Sequence, residues 1–145
     1  MTDKNQFTLH YKEIASAEED NILIEGISAE AVKAKKMEKM APFAFFIRNA
    51  EGKLVGGIKG TCLYGCLNVD SLWVDPEYRN KKWGKELMHE AERLGKRKKC
   101  TFAALSTMDW EAMPFYKKLG YEVEYVRDGF DKDSKMYFLR KPLSK

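Results

Sequence analysis

Short apolar runs separated by turn residues occupy the middle of the chain, and they predict strands. Residues 43–48, Leu54–Leu63 and 67–74 are rich in aromatic and β-branched side chains, as strands are. The segments 49–53 and 64–65 between them contain glycine, with Gly52 suited to a positive φ, so both are expected to be tight turns. Three strands joined in this way predict an antiparallel meander, in which Gly56 and Gly57 mark a bulge or a close approach.

The first forty residues have a mixed pattern. Residues 7–11 alternate and predict a short first strand, whereas residues 16–39 have the composition of helix with Asp20 or Ser28 as N-cap. Gly26 is expected to divide this segment into two helices, and Pro42 to end the region.

Residues 82–98 show helical periodicity. Their apolar positions fall on one face, with polar residues opposite: Trp83, Leu87, Met88, Ala91 and Leu94. The apolar run 100–106 that follows predicts a strand parallel to 67–74, because a strand–helix–strand connection is right-handed and returns to the same sheet.

The last part of the chain predicts a loop at 107–111, a short helix at 112–119 with Gly120 as its C′ residue, and strands at 121–127 and 135–140 around the loop 128–134. The order of elements predicts an α/β (α+β) fold with a mixed central sheet, formed by one domain over residues 1–145.

Composition narrows the class of protein. The chain has 145 residues, 44% hydrophobic and 33% charged, which is typical of a globular protein that buries a core. It contains no apolar run of 18 residues, and the first 13 residues are polar, so we expect a cytoplasmic protein without a membrane segment. The three cysteines are expected to be reduced thiols and no metal is expected, because the two histidines lie far from Cys62 and Cys66.

The net charge of +4 matters less than its distribution. Basic residues at 96–99 end the long helix, where they favourably meet the negative end of its dipole. Lys81, Lys82 and Lys85 lie at its start, where cations are disfavoured, so we expect an anionic ligand there.

Two motifs carry a resemblance to a known family. Val74, Asp75 and Pro76 end a strand, and Arg79, Lys82 and Gly84 follow, with Lys82 at a position where glycine is usual. The segment 109–121 has matching residues at Ala112, Phe115 and Tyr116, with Asp109 where asparagine is usual. In this order and spacing the motifs resemble those of the GNAT superfamily of acyl-CoA-dependent N-acetyltransferases.

The resemblance implies a single GNAT-like domain, helices on both faces of the sheet, and a parallel strand pair splayed around acetyl-CoA. Amides near residues 80–85 would hold the diphosphate, backbone groups of Leu72 and Val74 would pair with the pantetheine arm, and the Val74 amide would be an oxyanion donor. The implied cofactor-binding residues are Leu72, Trp73, Val74, Arg79, Asn80, Lys81, Lys82, Trp83, Gly84, Lys85, Ala112, Phe115 and Tyr116.

Two residues are candidates for the chemistry. Tyr116 would assist the departing thiolate, mainly by hydrogen bonding, because proton donation from a phenol to a thiolate is uphill by roughly 2 kcal/mol. Its alternative role is that of a half-buried core residue. Asp70, which period-two alternation places with Leu72 and Val74, could deprotonate the amine; Glu111 and bulk water remain alternatives.

The sequence therefore predicts an N-acetyltransferase that moves an acetyl group from acetyl-CoA to a primary amine by direct attack in a ternary complex. The acceptor could be a small molecule or a peptide, with Trp110 the best of three tryptophans to line its pocket, although core packing is the default for each. The protein could be a monomer or a homodimer. Two alternatives are a non-catalytic acyl-CoA sensor and a basic nucleic-acid-binding module, the latter disfavoured because no reading motif is present.

Overall fold

The computed structural model describes residues 6–143, which form two compact units divided between Lys39 and Met40. No helix in this part of the chain is long and apolar enough to cross a membrane. One domain over residues 1–145 stays a prediction.

The α-helix of the first unit, among its described residues, is α1 (Ala17–Lys35). Its N-cap is Ser16, whose hydroxyl accepts from the Glu19 N–H at 3.0 Å while the Glu19 carboxylate accepts from the Ser16 N–H at 2.8 Å. This capping box satisfies two otherwise unpaired donors, so the predicted N-caps at Asp20 and Ser28 are wrong. The predicted break at Gly26 is also wrong, because one glycine costs a helix only about 1 kcal/mol.

The predicted strand at residues 7–11 is wrong as well, since these residues have no regular structure. The side chains of Phe7, Leu9 and Tyr11 are exposed. An alternating pattern becomes a strand only where a neighbouring strand completes its hydrogen bonds, and no strand in the described chain pairs with this segment.

The second unit is built on a six-stranded sheet in the order β1-β2-β3-β4-β6-β5. Its strands are β1 (Ala41–Arg48), β2 (Leu54–Leu63), β3 (Cys66–Val74), β4 (Phe102–Met108), β5 (Glu122–Phe130) and β6 (Ser134–Pro142). The pair β3–β4 is parallel and every other neighbouring pair is antiparallel. The predicted meander and mixed sheet are confirmed.

Two α-helices and two short 3-10 helices complete this unit: α2 (Trp83–Arg97), α3 (Met113–Lys118), Pro76–Tyr78 and Asp131–Asp133. The predicted turns are confirmed, with Gly52 at φ 86° and Gly65 at φ 87°. Pro42 lies inside β1 rather than before it, which the sheet tolerates because β1 is an edge strand.

The helix α2 packs against β1, β2 and β3. Leu87, Met88 and Ala91 are buried as predicted, whereas Trp83 at the helix start is exposed. At the other side of the core, the Tyr121 hydroxyl donates to Glu92 at 2.7 Å, and Glu92 also accepts from Lys141 at 2.8 Å. This buried network ties α2 to β6.

The strand β3 contains an irregularity that the sequence did not reveal. Ser71 lies opposite Lys59 and Val69 lies opposite Gly60, so Asp70 between them has no partner on β2 and forms a β-bulge. Close approaches predicted at Gly56 and Gly57 are present, where an added Cβ would lie 3.2 Å from the Trp73 carbonyl oxygen and 2.7 Å from the Phe46 ring. Gly60, which was not predicted, is tighter still, because a side chain there would overlap the carbonyl oxygen of Asn68.

The parallel pair β3–β4 separates just before this bulge. Their register runs only from Cys66–Phe102 to Asn68–Ala104, although β3 continues to Val74 and β4 to Met108. The predicted splay of the two parallel strands is therefore present. It leaves one edge of each strand without a partner strand.

Candidate active site

The gap between the diverging strands is a cleft of about 1110 Å³. Its walls come from β3, β4, the loop before α2 and the first turns of α2 and α3. Every residue predicted to bind the cofactor or to act in catalysis lines it except Lys81, whose ammonium lies 5.8 Å from the centroid of the Tyr78 ring. The structure thus brings together two motifs about thirty residues apart in sequence.

The loop before α2 is braced by Arg79. Its Nε donates to the Val74 carbonyl oxygen at 2.7 Å, which folds the loop back onto the end of β3. Asn80 and Lys82 both take left-handed backbone conformations, with φ 65° and 68°. Lys82, at the position where glycine is usual, thus takes the conformation that glycine favours, at a cost of roughly 1 kcal/mol for another residue.

The start of α2 has no side-chain cap. Lys82 occupies the N-cap position and its side chain makes no hydrogen bond to the helix, so no side chain covers the first N–H groups of α2. Gly84 adds room there: a Cβ on it would lie 3.3 Å from the Phe115 ring. The free N–H groups, the helix dipole and the charges of Lys81, Lys82 and Lys85 together favour the binding of an anion at this helix start.

The Val74 amide points into the cleft. The Asp75 N–H donates to the Val55 carbonyl of β2 at 2.8 Å, and successive N–H groups of a strand point to opposite edges. The N–H groups of Val74 and Leu72 therefore face the edge from which β4 has diverged. Both residues can pair with an extended ligand, as the resemblance implied.

The residues that line the cleft come from both faces of the sheet. Leu72 and Val74 pack against the core that α2 covers, so Trp73 between them lies on the opposite face, where it is 51% exposed. On β4, Thr107 is buried while Ser106 is exposed, and Met136 lies directly opposite Met108 on β6. Two ligands, one that donates a chemical group and one that accepts it, can therefore approach the cleft from opposite faces of the sheet.

Tyr116 is buried at the cleft wall. Its ring meets Phe115 and Tyr121 edge-on at centroid distances of 5.1 and 6.1 Å. Burial, and then the nearby Glu111 carboxylate, raise the pKa of Tyr116 to about 12. The phenol stays protonated at neutral pH, and its hydroxyl is available as a hydrogen-bond donor at the cleft that Tyr116 lines.

The two candidate bases differ in surroundings. Glu111 accepts from the Thr107 hydroxyl at 3.0 Å and from the Met108 N–H at 2.6 Å, which fixes its position. Within residues 6–143 the Asp70 carboxylate accepts one hydrogen bond, from Asn68 Nδ2 at 2.7 Å. The expectation that Asp70 shares a face with Leu72 and Val74 is wrong, because the bulge changes the alternation: Asp70 is exposed on the face of Trp73.

Asp109 has a structural role. It accepts from the Lys135 N–H at 3.1 Å, while its own N–H donates to the Lys135 carbonyl at 3.0 Å. It does not line the cleft. An aspartate at this position therefore joins the end of β4 to the start of β6.

The expectation of core packing is wrong for the tryptophans. Trp73, Trp83 and Trp110 are 51%, 39% and 67% exposed, and all three line the cleft. Whether a tryptophan is buried depends on the side of the sheet or helix on which its backbone places it. The hydrophobicity of the side chain alone does not predict that side. Six lining residues were also missed: Ser71, Tyr78, Ser106, Thr107, Met108 and Met136. The position of residues 106–108 at the carboxyl end of a parallel strand was the available signal.

The three cysteines lie outside the cleft lining and are free thiols. Burial, and then the neighbouring Cys100, raise the pKa of Cys62 to about 11, so it is a poor nucleophile at neutral pH.

Comparisons with known proteins agree with this geometry. Residues 41–123 match the family model of the GNAT acetyltransferase domain. A blasticidin-S acetyltransferase from Streptomyces morookaense is 32% identical over 93 residues, which are 63% of this chain and 66% of that protein, so the match spans just under two thirds of that relative.

Solved structures share the fold. An acetyltransferase from Bacillus cereus is 28% identical with a TM-score of 0.73, covering 92% of this chain and 97% of its own. The PaiA N-acetyltransferase of Thermoplasma acidophilum, solved in complex with coenzyme A, has a TM-score of 0.58 at 24% identity, covering 89% of this chain and 80% of its own. Members of this family are acetyltransferases, and their cofactor is acetyl-CoA. The family model, the sheet order and the cleft together show that the chain belongs to the GNAT acetyltransferase family.

Proposed function

We propose that the protein transfers an acetyl group from acetyl-CoA to the nitrogen of a primary amine, by direct attack within a ternary complex. The observation that carries the proposal is the divergence of β3 from β4 after Asn68 and Ala104, which frees backbone N–H groups beside an uncapped helix start. Acetyl-CoA, when bound, supplies an activated acetyl thioester.

The residues of the loop fit the diphosphate of acetyl-CoA. Lys82 and Lys85 supply positive charge, and the first N–H groups of α2 supply donors without a competing side-chain cap. Arg79 is committed to the Val74 carbonyl, so its main role is to hold the loop in place. Leu72 and Val74 offer their N–H groups to the pantetheine arm.

The residues near the centre of the cleft divide the chemistry. The Val74 N–H donates to the acetyl carbonyl oxygen, where negative charge develops. The Tyr116 hydroxyl donates a hydrogen bond to sulfur and keeps its own proton, because its raised pKa makes full transfer unfavourable. The proton that the amine loses reaches Asp70 through intervening water, because Asp70 precedes Val74 by four residues of the strand.

The acceptor is a small molecule or a peptide with a primary amine. Blasticidin S, named for the Streptomyces relative, belongs among the compounds to be tested. The test is release of free coenzyme A from acetyl-CoA on addition of each amine. Binding of acetyl-CoA without thiol release for any amine would favour the sensor alternative.

Tyr116→Phe tests the assignment of the hydroxyl. The variant keeps the ring contacts with Phe115 and Tyr121 and loses only the donor. We expect kcat to fall by about 10- to 100-fold, which corresponds to one lost transition-state hydrogen bond, while the Kd of acetyl-CoA stays within about twofold. Unchanged kcat would remove Tyr116 from the chemistry.

A further inference from the structure

The charges that line the cleft are segregated. Its three cationic side chains, Arg79, Lys82 and Lys85, all belong to the loop and helix start assigned to the diphosphate. Its two carboxylates, Asp70 and Glu111, lie outside that segment. Neither carboxylate lies within 4.0 Å of a lysine, arginine or histidine nitrogen in the described chain. The part of the cleft left for the acceptor is therefore anionic.

The position of Asp70 strengthens this separation. Asp70 precedes Val74 by four residues, or roughly 13 Å of strand, and Arg79 is held at the Val74 carbonyl. Asp70 also lies on the face of Trp73, opposite the core that α2 covers. Positive charge from the loop is thus far from the carboxylate at this opening.

Two indole rings border the same space. Trp73 and Trp110 are 51% and 67% exposed, and both line the cleft. In residues 6–143 neither ring stacks on another aromatic ring or lies under a cation. An open indole face attracts a cation, most strongly where carboxylates lie nearby.

We propose that the acceptor carries a second positive charge besides the amine that is acetylated, as a diamine or a guanidinium-bearing amine does. The inference rests on the proposed function. The reacting amine must lose its proton before it attacks, so it cannot be the cation that these groups hold during the reaction. A second, permanently charged group can be held by Glu111 and the indole faces throughout the reaction, and by Asp70 until it takes up the proton, whereas an acceptor carboxylate would be repelled.

Three amines of equal chain length test the proposal: 1,5-diaminopentane, pentylamine and 5-aminopentanoate. They share a primary amine and five carbon atoms, and differ in a cationic, neutral or anionic end. We expect kcat/KM, measured by free coenzyme A, to fall at least about 10-fold at each step, the size of one well-formed charge contact. Equal values, or a preference for 5-aminopentanoate, would overturn the proposal.

Variants assign the preference to the named groups. Asp70→Asn and Glu111→Gln should both lower the ratio of kcat/KM for 1,5-diaminopentane to that for pentylamine. The ratio is read rather than the rate, because Asp70 is also assigned to proton removal and the rate with both amines should fall. Ser106→Lys, which adds a cation at the acceptor opening, should lower the same ratio, whereas Thr101→Lys adds one outside the cleft lining and should not. An unchanged ratio in all three cleft variants would count against the proposal.

A ligand that cannot react separates this inference from the proposed function. Pentane-1,5-bis(trimethylammonium) has two fixed charges and no acylatable nitrogen, and pentyltrimethylammonium is its monocationic match. With acetyl-CoA saturating, titration followed by tryptophan fluorescence should show at least about 10-fold tighter binding of the dication. If no amine releases coenzyme A, the proposed function fails, and this titration alone decides the inference. Equal Kd values for the two ligands refute it.

Discussion

The two halves of β3 perform different tasks within one strand. From Cys66 to Asn68 the strand has a partner on each side, β2 and β4, and Leu67 is fully buried. From Ser71 to Val74 it pairs with β2 alone and its other edge faces the cleft. The first half holds the sheet together, and the second half offers unused N–H groups to a ligand.

A single residue separates the halves. Asp70 has no partner on β2, and the bulge that it forms changes both the alternation of side chains and the direction of the strand. Stability and binding should therefore be separable by mutation. Variants on one side of Asp70 should lower the free energy of unfolding, and variants around the open half should lower ligand affinity.

Gly60→Ala should break the paired half. The added methyl group would overlap the carbonyl oxygen of Asn68, and two paired backbones cannot easily move apart. We expect the free energy of unfolding to fall by about 3 kcal/mol or more, measured by urea denaturation. Under conditions where the variant is folded, its Kd for acetyl-CoA should be near that of the parent. A stable Gly60→Ala protein would show that the paired half tolerates expansion.

Gly84→Glu, at the start of α2 beside the open half of β3, should instead impair ligand binding. It places bulk against Phe115 and negative charge at the start of α2, where the diphosphate is proposed to bind. We expect the Kd for acetyl-CoA to rise at least about 100-fold, or about 2.7 kcal/mol, by calorimetry. Arg97→Glu, at the other end of α2 and outside the cleft lining, is the control and should bind normally. Retained affinity in Gly84→Glu would exclude this loop as the diphosphate site.

Alkaline pH should show that the cleft wall facing the open half also contributes to stability, through Tyr116 of α3. The pKa of Tyr116 is raised to about 12 in the folded protein, against about 10 in an unfolded chain. Stability from this group is therefore complete below pH 10 and is lost as pH rises from 10 to 12, by about 1.4 kcal/mol at pH 11. Urea unfolding at pH 9 and pH 11 measures the loss, which should be smaller in Tyr116→Phe. An identical loss in both proteins would contradict the assignment.

Lys82→Gly should have the smallest effect. It should raise the stability of the protein and lower its affinity for acetyl-CoA. Glycine relieves the left-handed backbone at φ 68°, so the free energy of unfolding should rise by about 0.5–1 kcal/mol. Acetyl-CoA affinity should fall a few-fold, because a cation is lost from the loop. Lys99→Gly, at φ 65° and outside the cleft lining, should gain stability and keep its affinity. Unchanged affinity in Lys82→Gly would mean that its ammonium does not contact the ligand.

Much of the fold could be predicted from local patterns. The turns at Gly52 and Gly65 and the buried face of α2 follow from glycine conformations and a 3.6-residue period. The failures came where long-range pairing decides the outcome. Residues 7–11 alternate as a strand does, but no strand of the described chain pairs with them. The sequence around Gly60 likewise does not show that the backbone of Asn68 lies against it.

The residues of the candidate site could be predicted where a motif specifies them. The face of the strand on which a side chain lies could not. Arg79, Gly84 and Tyr116 line the cleft as the resemblance implied. Asp70 was placed on the wrong face because strict alternation was assumed through a bulge. Trp73 and Trp83 line the cleft as the resemblance implied, and the default of core packing was wrong because hydrophobicity does not report exposure. A bulge arises from the pairing of two strands, so one strand's sequence does not contain it.

The unpaired residue in β3 has a consequence for how this gene can change. Replacing Asp70 alters one side chain, whereas deleting it would leave Val69 opposite Gly60 and Ser71 opposite Lys59 and would remove the bulge itself. Leu72 and Val74 would keep the core face, but β3 would lose the bend beside which it separates from β4. Lineages of this protein should therefore accept substitutions at position 70 far more readily than a change in length there.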